Sequence, residues 1–450
     1  MKLSFAHKQM TCFFISFFLL IPHQGFADHM YDTIDSQSSF NPVGSGARAL
    51  GVSGAFIAIA DDATAANWNP GGLIQLKTSE ISFVGEFTHW TENNSFDHEP
   101  YNNFNSSVSD HNINYISLVS PTFDFMNRSI LFSINYQHLY MFPREADYDY
   151  FQKTDENISH SIRQLKQEGK LYAIGIAGCF QVNKKLSFGI TFNFWNDLLG
   201  NNGWSQKTNQ ISHVQSELFE SDSQISFQNK YDFKGFNINL GMLWAITDSF
   251  TMGAVVKTPF TADLKHEIVY SSFTQYKSGA QTMVKPEPYT LSEELEMPMS
   301  SGIGVAYRFS DQLTVSADIY RTEWQNCILK NQDGEKYSFI SSKQEEESNI
   351  DPTHQVRCGV EYLIIDKNNQ CIIPLRGGIF YDQAPSEGSP DDFFGFSLGT
   401  GFASGPYIFD IAFQYRFSSD AGESKVLVDG FSQKLNEYQL YSSIIYHFSE

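Results

Sequence analysis

Positive charge, cysteine and long apolar runs are all scarce in this sequence. Its 30 lysines and arginines face 51 aspartates and glutamates, a formal net charge of −21. A nucleic-acid partner needs a basic face, so that class is excluded. No stretch beyond the N-terminus approaches the ~18 consecutive apolar residues of a membrane helix, and a helical membrane anchor is excluded with it. The 5 cysteines of the 450-residue chain match no zinc or redox spacing. Cys179 and Cys358 fall on apolar strand positions, which suits buried or lipid-facing thiols. Histidine is scattered as well. His89, His111, His138, His160 and His354 sit beside no Gly-x-Ser-x-Gly elbow, so no catalytic residues and no enzymatic activity are expected.

Aromatics are abundant: 40 Phe and 22 Tyr. They alternate with polar residues. Tyr407, Phe409, Ile411, Phe413, Tyr415 and Phe417 share one face, and Ile408, Asp410, Ala412, Gln414 and Arg416 the other. Leu186–Phe194 and Leu313–Ile319 repeat the pattern. A strand sends successive side chains to opposite faces, so these are strands with one greasy and one polar surface. Strands are expected near 79–89, 111–120, 128–140, 170–181, 185–196, 231–246, 249–271, 286–308, 312–328, 353–364, 371–382, 392–403, 406–418 and 436–448. This even number suits an all-β fold, a 14-stranded antiparallel transmembrane β-barrel.

The connections sort by length. Pro121–Asn127, Val182–Lys184, Thr247–Asp248, Ser310–Asp311, Asp366–Gln370 and Ser404–Gly405 are short, whereas 90–110, 141–169, 197–230, 272–285, 329–352, 383–391 and 419–435 are mostly long. Short periplasmic turns opposite long external loops belong to barrels of the bacterial outer membrane. Short helices are expected at Ile162–Gly169 and Gln215–Phe219. The N-terminus reads as an export signal over residues 1–27. Lys2 and Lys8 precede the apolar Cys12–Ile21, and Gly25-Phe26-Ala27 offers a cleavage site. The barrel is expected over 78–450. Between signal and barrel, residues 28–77 are rich in small residues and end in a tight Asn69-Pro70-Gly71-Gly72 turn, which predicts a folded hatch in the lumen. Asp61, Asp62, Asn69, Pro70 and Gly71 are its marker residues.

The motifs resemble the FadL/TodX family of outer-membrane transporters for long-chain fatty acids and aromatic hydrocarbons. The similarity lies in Gly46–Gly51, Ala60–Ala63 and Asn69–Leu73, where Gly71 stands in place of the family's alanine. It continues in Val256–Phe260, Glu296–Pro298 with Gly302–Phe309, Gln312–Trp324 and Pro374–Pro385. The resemblance implies passive uptake of a fatty acid or an aromatic hydrocarbon through an apolar lumen site. It also implies hatch movement and sideways exit through the third strand, here Arg128–Tyr140, which contains neither Gly nor Pro. A barrel serving as a scaffold or secretion component is the alternative.

Asp318, Glu361, Arg376, Asp410 and Arg416 are expected to face the lumen. They pair there into a network that holds wall and hatch, or one cation, Lys257, Arg376 or Arg416, meets a ligand carboxylate. By order along the chain, Leu198, Leu199, Trp204 and Phe219 fall in the family's ligand-collecting loops. No metal site and no cofactor are implied. The expected partners are the hydrophobic ligand and the lipid and lipopolysaccharide of the outer membrane, around a monomer.

Overall fold

The computed structural model describes residues 44–96, 102–125, 128–154, 157–368, 370–421 and 431–448. The expected export signal and residues 28–43 of the expected hatch lie outside them. Among the described residues, 14 strands close into an antiparallel barrel. They are β1 (Glu80–Phe96), β2 (Phe104–Val119), β3 (Arg128–Met141), β4 (Asn157–Asn183), β5 (Leu186–Trp195), β6 (Glu220–Ala245) and β7 (Phe250–Lys257), followed by β8 (Ser300–Arg308), β9 (Leu313–Thr322), β10 (Thr353–Asp366), β11 (Cys371–Ala384), β12 (Asp391–Ser404), β13 (Tyr407–Ala421) and β14 (Phe431–His447). β14 closes on β1 from Glu80↔His447 to Phe96↔Phe431.

The polarity is inverted relative to a water-soluble globule. Asp410, Ala412, Gln414 and Arg416 on β13 are buried inside, while Phe409, Ile411 and Phe417 on the same strand are exposed. Every barrel strand follows this rule to some degree, because one face meets lipid and the other a filled lumen. Cys358 is exposed on the outer face, and Cys179, Cys327 and Cys371 are buried, all four as free thiols. A membrane-permeant maleimide is therefore expected to alkylate Cys358 in the folded barrel well before the three buried thiols. Mass spectrometry checks this, and early modification of Cys179 would contradict the placement.

The short connections fall where expected, and the long ones hold more strand than the sequence suggested. Ile162–Gly169 is not helical. It is the outer half of β4, paired with the Arg144–Lys153 strand on one side and Gly203–Ser216 on the other. Gln215–Phe219 is likewise the end of the Gly203–Ser216 strand and its turn. Helix-favouring Gln, Lys and Glu were overruled by pairing on both edges, which decides strand formation more than local preference does. The expected strands 249–271 and 286–308 are each broken, into β7 and Phe260–Tyr276, and into Tyr289–Met297 and β8. Pro259 and Pro298 lack the N–H that the ladder requires. The two breaks face each other, between Lys257↔Ser300 and Phe260↔Met297. Beyond them the strands continue as a sheet above the barrel, on β4 and β6, which are 27 and 26 residues long.

Residues 44–79 lie inside the short-turn half of the lumen, as α1 (Ala47–Gly51), α2 (Ala65–Trp68) and a 3-10 turn, Pro70–Gln75. Leu50, Val52, Phe56, Trp68 and Leu73 pack with Val84, Tyr115, Leu131 and Cys179 of the wall. At the other mouth the β9–β10 connection folds inward. Its Trp324, Cys327, Ile340 and Ile350 join Trp195, Trp204 and Phe233 in a second buried cluster.

Candidate functional site: the lumenal segment and a gap in the wall

The lumenal segment is seated on a belt of wall glycines. A Cβ at Gly189 of β5 or Gly241 of β6 would run into Pro70, and one at Gly253 of β7 or Gly304 of β8 into Ile57. Gly359, Gly378 and Gly399 on β10 to β12 make the same approach to Val52, Ser53 and Gly51. β9 carries Asp318 instead, which accepts the Phe56 and Ile57 N–H groups at 2.7 and 2.9 Å. The Phe56 N–H is shared with the Gly54 carbonyl at 2.9 Å, so Asp318 ties an existing turn of the segment to β9.

The Asn69-Pro70-Gly71 turn explains itself. The Asn69 side chain caps the 3-10 turn by accepting the Gly71 N–H at 3.1 Å. Its amide donates to Ile57 O at 2.8 Å and to Met242 O of β6 at 2.9 Å. Proline at the first helical position costs no hydrogen bond. A Cβ on Gly71 would stand 3.0 Å from the Leu243 nitrogen, so glycine permits this close approach to β6. The Gly71 carbonyl accepts from Ser187 Oγ at 2.7 Å and Cys179 Sγ at 3.3 Å.

Charge holds the other side. Arg48 pairs with Asp61 and donates to Glu361 at 2.9 and 3.0 Å. Arg376 donates to the same Glu361 and to Asp410, both at 2.6 Å. Asp62 turns inward onto Thr64, whose N–H it accepts at 2.9 Å. Burial pushes its carboxyl above the ordinary carboxylate range, against the pull of Arg48.

The wall opens between β2 and β3. These strands pair only from Tyr115↔Gln137 to Val119↔Ser133. Beyond that, β2 stays with β1, and β3 stays with β4. Each lip carries a register shift. Asn114 is the extra residue where Val84↔Tyr115 gives way to Gly85↔Ile113, and Leu139 is the extra one between His138 and Tyr140. Bulges bend a strand and end pairing, so β3 departs without Gly or Pro. A cavity of about 750 Å³ lies at the gap, lined by Phe87, Ile113, Ile116, Tyr136, Leu199 and Leu440, with Glu86, Asn112 and Lys170 among its polar residues. Lys170 Nζ donates to Asn112 Oδ1 at 2.8 Å. Tyr172 pins the adjoining loop, accepting the Leu199 N–H at 3.1 Å and donating to Gly200 O at 2.7 Å.

The expected ligand residues do not converge. Leu199 lines the gap cavity, and Leu198 beside it is exposed. Trp204 is buried in an aromatic ladder, stacked on Tyr231 at 4.6 Å, which stacks on His266 at 4.0 Å. Phe219 lies at the tip of the outer sheet against Tyr276. Arg376 sits between two carboxylates. Arg416 does too, holding Asp382 at 3.0 Å and Glu437 at 3.2 Å. Lys257 alone of the three meets an amide, donating to Asn67 Oδ1 of the lumenal segment at 3.2 Å. Sequence reasoning missed the glycine belt and the pairing of Glu86 and Asn114 at the gap. The recurrence of glycine on inward strand positions was the available signal for the first.

Residues 38–439 match the family described as outer membrane protein transport protein (OMPP1/FadL/TodX). No curated protein sequence matches the chain. Among solved structures, the chain is similar to the CymD monoaromatic hydrocarbon channel at 17% identity, covering 91% of this chain and 99% of that one, with a TM-score of 0.55. It is also similar to a Pseudomonas aeruginosa FadL homologue at 13% identity, covering 90% and 99%, with a TM-score of 0.56. The Ralstonia pickettii toluene transporter TbuX follows at 15%, covering 91% and 100%, with a TM-score of 0.53.

Proposed function

The chain belongs to the OMPP1/FadL/TodX family, outer-membrane barrels that transport hydrophobic substrates, and from that premise we propose that its ligand passes the lumenal segment, acting as a hatch, and leaves sideways between β2 and β3. The observation that carries this reading is the gap itself. Two bulges end the β2–β3 ladder, and the cavity between them is lined largely by outward apolar side chains. Its volume of about 750 Å³ lies within the range of ordinary small-molecule sites. A hydrophobic molecule there has lipid on one side and the lumen on the other, so no polar barrier separates it from the membrane.

The ligand class is a long-chain fatty acid, in preference to an uncharged aromatic hydrocarbon. Lys257 supports this choice. Among the described residues its ammonium meets no carboxylate, and the amide it does meet belongs to the hatch. A hatch shift withdraws Asn67 and leaves a lumen cation for a ligand carboxylate. Replacing Lys257 by Met is expected to weaken oleate binding to the purified barrel about tenfold, equivalent to about 1.4 kcal/mol, with toluene binding unchanged. Equal loss for both ligands would remove the carboxylate assignment. No saturable binding of either by the folded wild type would remove the transport route as proposed.

A further inference from the structure

One buried hydrogen-bond chain runs from the lumenal segment to the far lip of the gap. The Gly46 N–H donates to Asn114 Oδ1 at 3.2 Å. The Asn114 amide donates to Glu86 Oε2 at 2.8 Å. Glu86 Oε1 accepts from His138 Nδ1, and His138 Nε2 donates to the Tyr140 carbonyl at 2.9 Å. Asn114, Glu86 and His138 are all buried, at 2%, 5% and 3% exposure.

The chemistry of each link fixes its direction. Glu86 and the Tyr140 carbonyl lie on opposite sides of the imidazole, so His138 bridges the two through its two ring nitrogens. Asn114 must present oxygen to Gly46 and nitrogen to Glu86, since the opposite flip would set N–H against N–H. Its position is equally specific. Asn114 is the bulged residue of one lip, turned inward by the extra residue. His138 precedes the bulge of the other lip.

We propose that Asn114, Glu86 and His138 are positioning residues that couple the seating of the lumenal segment to the shape of the gap. The proposal rests on the sideways-exit reading. When the segment leaves, Asn114 loses the Gly46 donor and is left with a buried, unsatisfied oxygen. Turning the amide toward a new partner withdraws its nitrogen from Glu86 and from the Tyr441 hydroxyl, which it reaches at 3.4 Å. Glu86 is the hydrogen-bond partner of His138, which in turn holds the Tyr140 carbonyl past the bulge. The same links run in reverse, so a disturbance at His138 loosens the seat of a segment that His138 does not touch.

Cys179 provides a native reporter. Its thiol donates to the Gly71 carbonyl beneath the seated segment, so its alkylation rate rises when the segment lifts. The test measures that rate for the full-length chain in detergent micelles, resolved by mass spectrometry and without ligand. His138→Ala is expected to raise the rate at least fivefold. His138→Gln, which keeps two N–H donors, is expected to stay within twofold of wild type. Ile113→Ala, on the same gap but outside the chain, is also expected to stay within twofold. Adding His138→Ala to Asn114→Ala should give no further increase, because the links act in series. If His138→Ala does not fold, Glu86→Gln carries the test with an expected rise of at least threefold. A rate within twofold of wild type for the folded gap variants would overturn the coupling. So would an Ile113→Ala effect equal to that of His138→Ala, or a multiplicative double variant. Failure of sideways exit would show instead in ligand uptake, which this measurement does not use.

Discussion

An E361A variant should unseat the lumenal segment by about 3 kcal/mol, the lower end of the cost of stripping one partner from a buried ion pair, while the barrel stays closed. Glu361 is shared by two guanidiniums, Arg48 from the segment and Arg376 from β11. Arg376 keeps Asp410 after the change. Arg48 keeps only Asp61, a partner about one-third exposed, which is why the lower end applies. The wall does not depend on this carboxylate, because β10 is held by complete ladders to β9 and β11. Hydrogen exchange separates the two effects. Amides over 44–77 should exchange on the order of a hundredfold faster, and those of β10 and β11 should not change. Unaltered protection over 44–77 would show that the glycine seat suffices without the ion pairs.

Filling the gap should stop export into the membrane. With Ile113 and Ile116 both replaced by Trp, uptake of labelled oleate by cells relying on this barrel is expected to fall at least tenfold. Both residues line the cavity between β2 and β3, and Ile113 already projects toward lipid. Indole groups are tolerated at that surface, since barrels place aromatics there by preference, so folding should survive. Heat-modifiable migration in gels verifies the fold. Undiminished uptake with the gap filled would move the route into the lumen and remove the lateral step.

Most of the barrel was legible in the sequence, for a physical reason. A strand between lipid and lumen must alternate at every second residue, and β13 does so from Tyr407 to Phe417. The strand number and the short turns follow from the same periodicity. The two helices expected at Ile162–Gly169 and Gln215–Phe219 failed because local preference says nothing about neighbours, and both segments found partners in the outer sheet. The site was less legible. Asn69, Pro70 and Gly71 lie at the foot of the seat against β6. The network reading of Arg376 and Arg416 matches their geometry, each between two carboxylates. The family resemblance pointed to the third strand, but the residues that open the gap were invisible, because a bulge is one unpaired residue, and Asn114 and Leu139 carry no mark in sequence. Only pairing in three dimensions shows where a ladder stops.

The glycine belt has an electrical consequence. Along the glycine belt the inner wall is bare backbone, so on that side a vacated bore is limited by the strands themselves and not by side chains. In a planar bilayer the seated protein should be nearly silent, and each departure of the segment should register as a discrete rise in ionic current. The same glycines that admit the segment thus leave the cell exposed to small ions and antibiotics whenever it is absent, and a tight seat is what keeps this barrel from being a leak.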